Sequence, residues 1–178
     1  MDTEKFLNHV TGQIQEAQLK LGFVREEIRL YYPASSLCRL LQIEYREGKE
    51  LAELLEKEPS LADTALGKIN FSLCKDNRIE VRVSREGVEY VRREIPVPPF
   101  LERVIGLFGE NHHLTIEEIC ACFGEFNPAF VCKKMEPDAD FDYVLYFPDG
   151  KPDIWYYCVR MEMGHTIYHR FLKEDLTL

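Results

Sequence analysis

A chain of 178 residues, 46% hydrophobic and 30% charged, has the makeup of a globular protein with a real core, which excludes intrinsic disorder. Lys and Arg total 22 against 31 Asp and Glu, and the formal net charge of −9 opposes nonspecific attraction to nucleic acid or an anionic membrane. No apolar run approaches the roughly 20 residues of a membrane helix, and the opening stretch MDTEKFLNHV has no apolar segment of a secretory leader.

The expectation is therefore a cytoplasmic protein that binds neither nucleic acid nor membrane. Its six cysteines (Cys38, Cys74, Cys120, Cys122, Cys132 and Cys158) are scattered, with no C-x-x-C pair. They read as reduced thiols, mostly buried as small hydrophobes. Cys120 and Cys122 fall in a helical pattern where i and i+2 point apart, so that pair suits neither a disulfide nor a shared metal. No metal site and no cofactor are expected.

From Thr3 to Leu21, Phe6, Val10, Ile14, Ala17 and Leu21 recur at three- and four-residue steps and predict an amphipathic helix stopped by Gly22. Residues 24–32 have no clear period and are compatible with a short helix. Pro33 breaks that segment, and Ser35 or Ser36 is placed to cap a second helix through Leu37, Leu40 and Leu41. Gly48 marks a turn. Leu51, Leu54, Leu55 and Leu61 predict a helix over 50–61, with a stop or kink at Pro59.

After Gly67 the period changes. Ile69, Phe71 and Leu73 alternate with polar neighbours, Asp76-Asn77 make a turn, and Ile79, Val81 and Val83 alternate again, which predicts a β-hairpin. Residues 85–95 lean to strand because Val88, Tyr90 and Val91 favour it. The proline stretch at 96–99 is the best linker candidate. A helix is predicted over 100–108, and Thr115-x-x-Glu118 is a capping box opening another over 116–123, ended by Gly124, Asn127 and Pro128. From Phe141 onward FDYVLYF, IWYYCVRME and HTIYHRFL are three apolar and aromatic runs separated by PDGKPD and MG, a three-stranded antiparallel meander.

Strands cluster and helices cluster without βαβ alternation. The fold class is therefore α+β: N-terminal helices, a β-hairpin, a second helical pair and a C-terminal three-stranded antiparallel meander. The chain reads as a single domain over 1–178, with 96–99 as the one candidate subdivision. Whether the hairpin and the meander share a sheet is open at this level.

The last hairpin concentrates the residues able to do chemistry. With Met163-Gly164 as a two-residue turn, Glu162 pairs with His165, Arg160 with Ile167 and Cys158 with His169. All six then share one face, with partners about 5 Å apart. Glu162, His165, His169 and Cys158 are the catalytic candidates, because a carboxylate can orient an imidazole and an imidazole can activate a thiol. A metal is disfavoured, since His165 and His169 are about 13 Å apart on a strand. The structural alternative is that turn-flanking polar residues and a half-buried Cys–His pair do no chemistry.

Elsewhere the bland reading is favoured. His112-His113 reads as a solvated turn between helices. Asp138, Asp140 and Asp142 lack the Gly and distal Glu of a calcium loop. Arg92-Arg93, with Arg78, Arg82 and Arg85 nearby, is interleaved with Glu80, Glu86, Glu89 and Glu94, as in surface pairing. The helix pair before the meander has the element order of a winged helix. The second helix, however, offers Glu117, Glu118 and Glu125 where base readers are needed, and Lys133-Lys134 do not restore the case. There is no phosphate-loop, dinucleotide, nucleophile-elbow or H-E-x-x-H motif.

Two stretches together, EAQLKLG with EEIRLYYPASSL near the start and FDYVLYF, WYYC and HTIYHRF at the end, resemble a small bacterial family described only as a domain of unknown function, from Gram-positive gut-type anaerobes. The resemblance spans nearly the whole chain. It implies a single-domain cytosolic bacterial protein and carries over no activity, ligand or residue role.

Two functions remain. One is a non-enzymatic binding or regulatory module that engages an unidentified protein or small-molecule ligand. Tyr143, Tyr146, Trp155, Tyr156, Tyr157 and Tyr168 are its aromatic anchors, and Trp155, Tyr156, Tyr168 and Arg160 the leading ligand contacts. The other is a small hydrolase-type enzyme built on Glu162, His165, Cys158 and His169. An open pocket at the hairpin favours the enzyme, and a flat exposed aromatic patch favours the module.

Overall fold

The computed structural model describes residues 1–22 and 26–176, and they fall into two compact units, Met1–Val97 and Pro98–Leu178. The division lies within the 96–99 proline stretch. Helices and two separate antiparallel sheets make the chain α+β, with one sheet in each unit.

In the first unit α1 (Thr3–Leu21) opens on an Asp2 side chain that accepts from Lys5 N, and closes on Gly22 at φ 64°, whose N–H donates to Gln18 O. Gly takes that left-handed conformation without Cβ strain. The helix buries Phe6, Val10 and Ile14, the stripe read from the sequence. The segment expected as a short helix is instead β1 (Ile28–Pro33), and residues 23–25 lie outside the described residues. Its apolar residues follow period two: Ile28, Leu30 and Tyr32 pair with Val83, Val81 and Ile79.

The next helix, α2 (Ala34–Leu40), starts earlier than expected. Pro33 occupies the capping position with no side-chain bond, so Ser35 and Ser36 lie within the first turn and cap nothing. Pro59 divides the expected 50–61 helix into α3 (Gly48–Glu56) and the short α4 (Pro59–Ala62). The hairpin is β2 (Ile69–Leu73) and β3 (Arg78–Val83), and the sheet order is β1-β3-β2.

Residues 85–94 form a helix, α5 (Arg85–Glu94), against the strand expectation. Ser84 Oγ caps it by accepting from Gly87 N, and Gly87, Val88 and Val91 fall on one buried stripe. A good cap and one-sided burial override the strand preference of Val88, Tyr90 and Val91. This helix packs on α1, whose Gln18 and Gln15 amides donate to Val88 O at 2.9 Å and Pro96 O at 3.1 Å.

In the second unit α6 (Pro99–Glu110) precedes α7 (Ile116–Phe126). The capping box is present in both directions: Thr115 N donates to Glu118 Oε2 at 2.7 Å and Glu118 N to Thr115 Oγ1. Gly124 does not end α7, which continues to Phe126 with Asn127 as its cap. The meander has a fourth strand ahead of the three expected: β4 (Val131–Lys134), β5 (Tyr143–Tyr146), β6 (Tyr156–Glu162) and β7 (His165–Phe171), in that spatial order. Cys132, Lys133 and Lys134 are exposed, so β4 carries little of the apolar alternation that marks a strand in sequence.

The inner face of this sheet packs on α6 and α7 around Phe100. Its ring meets Phe123 at 4.9 Å, Phe126 at 5.2 Å, Phe147 at 4.9 Å and Tyr157 at 5.7 Å, all edge to face. That geometry sets the positive ring edge against the negative face of its neighbour.

Candidate functional site on the C-terminal sheet

The β6–β7 hairpin turns on Met163 (φ 52°) and Gly164 (φ 78°). Two positive φ values are the requirement of a type I′ two-residue turn, and only Gly164 meets it without strain. The turn fixes the register read from the sequence: Glu162 opposite His165, Arg160 opposite Ile167, Cys158 opposite His169.

That register puts the four catalytic candidates on one face but does not connect them chemically. Glu162 is exposed and its carboxylate pairs with Arg160 at 3.2 Å. His165 stacks on His113, with ring centroids 5.2 Å apart. No hydrogen bond joins Glu162 to His165 among the described residues. Cys158 is fully buried, and burial pushes its thiol up to about 12. Its cross-strand partner His169 is exposed and lies between Phe141 and Phe171, at 5.8 Å and 6.3 Å. A thiol that keeps its proton at neutral pH is a poor nucleophile.

Sequence reading missed what holds this hairpin. The loop before α7 clasps it: Thr166 N donates to His112 O at 2.8 Å and Thr166 Oγ1 to Leu114 O at 2.7 Å. The His113 Nδ1 makes a short hydrogen bond with Gly164 O. Facing a carbonyl, that nitrogen must be the donor. His112-His113 is thus a structural strap as well as a turn. Asp142 is structural too, its carboxylate accepting from Met161 N at 2.6 Å.

The ligand candidates separate by face. Trp155 is buried, with the Arg170 guanidinium 4.4 Å from its ring centre. Tyr168 packs on Phe108 at 4.4 Å and on Tyr157 at 5.8 Å. Tyr156 and Arg160 lie on the opposite, outer face. There Tyr156 stacks on Tyr146 at 4.4 Å, with the rings 14° from parallel, and both are half-buried.

Phe141, which precedes β5, reaches Phe171 and His169 of β7, so it crosses β6 near Cys158. Beneath these rings Cys158 and its β5 partner Val144 are both buried on the same face. The outer face is therefore a run of half-exposed rings, Tyr146, Tyr156, Phe171 and Phe141, edged by the exposed His169 and Ile167. Burial, followed by the nearby Tyr146 and Glu174, raises the Tyr156 hydroxyl above its ordinary value and keeps it neutral. Phe141 and Phe171 were legible only as strand residues, because their meeting depends on a loop crossing the sheet.

In the first unit, Lys49, Ala52, Glu53, Glu56, Phe71 and Leu73 border an open groove of about 310 Å³ beside β2. The Glu56 carboxylate there accepts from Phe71 N at 2.5 Å and so covers part of the strand's edge. Among the described residues, no group of three or more His, Cys, Asp or Glu side chains is placed to hold a metal ion.

These features define a small α+β protein with a helix-backed antiparallel sheet and an aromatic outer face. Over residues 3–178 the chain matches, and belongs to, the family described as Domain of unknown function, E. rectale Gene description (DUF3877). This is a family of unknown function named after a Gram-positive anaerobe, as the terminal stretches suggested. Comparison with curated proteins and with solved structures finds no match. No helix among the described residues is long and apolar enough to cross a membrane.

Proposed function

We propose that the chain is a non-enzymatic binding module of the bacterial cytosol, with the outer face of the C-terminal sheet as its contact surface for a protein partner. The observation that carries this reading is the stacked Tyr146–Tyr156 pair, half-exposed on the sheet and continued by Phe171, Phe141 and Ile167. Rigid aromatic side chains give much contact area at small entropic cost, and contiguous ones at a surface mark contact sites. A half-exposed strand face with aromatic anchors suits a protein segment, whereas a small molecule needs concavity. The net charge of −9 weighs against nucleic acid.

The enzyme alternative loses its chemistry at Cys158, buried and protonated, and at Glu162, engaged by Arg160. A random peptide display library selected on the purified chain tests the reading. Peptides carrying an aromatic or aliphatic anchor are expected, with at least tenfold weaker binding to a Tyr146→Ser/Tyr156→Ser double variant of unchanged circular dichroism. Selected peptides that bind the double variant equally well would overturn the proposal.

A further inference from the structure

We propose that Cys120 and Cys132 are a reversible redox pair, closed to a disulfide by a peroxide and reopened by a dithiol. They sit on different elements of the second unit, and the fold brings them together. Helix α7 lies over the inner face of the sheet, with Phe123 against Phe147 at 5.3 Å and Tyr157 at 5.3 Å. In β4, Cys132 is opposite Leu145, which is fully buried, so both point to the inner face.

A tight turn after α7, closed by Phe130 N donating to Asn127 O, returns the chain under the helix, and Phe130 packs on Phe123. The Cys132 thiol then comes within hydrogen-bonding reach of the Cys120 thiol. Cys120 is half-buried and Cys132 exposed as a residue, whereas Cys38, Cys122 and Cys158 are buried. A small oxidant reaches this pair more readily than those three.

The two sulfurs have different parts. Burial, then the hydrogen bond with Cys120, pushes Cys132 up to about 12. Cys132 is exposed as a residue, and its thiol hydrogen-bonds that of Cys120. In this scheme Cys120 meets the peroxide first and Cys132 resolves the product.

The Cys120 S–O bond to hydrogen peroxide forms as the O–O bond breaks, the thiol proton leaves with the departing oxygen as water, and a sulfenic acid remains. The Cys132 sulfur then attacks that of Cys120. The S–S bond forms, the S–O bond breaks, and the Cys132 proton leaves with the oxygen as a second water. Two thiols and one peroxide become one disulfide and two waters, the sulfurs losing the two electrons that the peroxide gains. The product ties the exposed edge strand β4 covalently to α7, where otherwise its backbone ladder to β5 alone holds it in the sheet.

The test treats the full chain with a small excess of hydrogen peroxide and maps it by mass spectrometry without reduction. The expected result is a loss of about 2 Da, two fewer of the six thiols open to alkylation, and a linked peptide joining Cys120 to Cys132, all reversed by dithiothreitol. In Cys132→Ser the link is lost and dimedone traps a sulfenic acid at Cys120. The wild-type map decides the matter even if that variant fails to fold. Six free thiols after treatment, or oxidation confined to other cysteines or ending in sulfinic acid without the linked peptide, would overturn the proposal.

Discussion

Replacing Phe100 with Ala removes the ring on which the second unit is assembled. The side chain is 1% exposed and meets four aromatic rings at 4.9–5.7 Å. Truncating a buried Phe costs about 3–5 kcal/mol through lost transfer energy and the cavity left behind. Each edge-to-face pair adds about 0.5–1.5 kcal/mol beyond burial, so this site falls at the upper end, about 4–5 kcal/mol.

The second unit has about 80 residues, and a unit of that size is typically stable by only about 4–12 kcal/mol. Phe100→Ala therefore leaves it near the margin. Urea unfolding followed by fluorescence suits the question, because the chain has a single tryptophan, Trp155, buried in this unit beneath Arg170. Phe100→Leu keeps most of the volume and should lose about half as much. A loss below about 1.5 kcal/mol for Phe100→Ala would refute the assignment of this ring as the centre of the core.

Three further outcomes follow from the first unit and from the start of α7. Burial alone raises the Glu80 carboxyl, but hydrogen bonds from Tyr31 at 3.0 Å and Arg82, with the charges of Arg82 and Arg29, outweigh it and hold the group below its ordinary 4.5. A depressed carboxyl stabilises the fold above its unfolded value, and the effect is lost as pH falls through the folded one. Glu80→Gln should cost about 1–2 kcal/mol at pH 7. Its stability gap to wild type should close below pH 4.5, and a gap that stays constant in acid melts contradicts this.

Gly87→Ala should be destabilising by about 2 kcal/mol in thermal melts despite the better helix propensity of Ala. A Cβ there would overlap Leu66 O and stand 2.8 Å from Val83 Cγ1. Thr115→Ala should cost about 1 kcal/mol through the lost cap of α7, and a value near zero would mean that the cap is dispensable.

The parts of the fold legible in sequence were those with a strong period or a specific punctuation. The α1 stripe, the Gly22 stop, the alternation at Ile69–Leu73, the Thr115–Glu118 box and the Met163-Gly164 turn each act within a few residues. What was misread depends on distant partners. Residues 85–94 carry strand-favouring residues, yet Ser84 and burial of Val88 and Val91 make them helical. In residues 28–33 the period-two run of Ile28, Leu30 and Tyr32 is masked by the aromatic Tyr31, which is exposed on the other face. β4 is too polar to announce itself.

The candidate site divides the same way. The cross-strand register followed from the turn, but the meeting of Phe141 with Phe171 and His169 needed a loop to cross the sheet, and the meeting of Cys120 with Cys132 needed the turn after α7. Spacing within one segment carries neither fact.

A photoreactive phenylalanine analogue placed at Tyr156, with a control at Met163, addresses the binding-module reading most directly. Met163 is 94% exposed at the hairpin tip, next to Glu162 and His165. Each full-length variant would be illuminated in bacterial cells producing it at native level, and its adducts compared. The account predicts one discrete protein adduct from position 156 and none from 163. Adducts from 163 with none from 156 would contradict it and return the function to the tip of the hairpin.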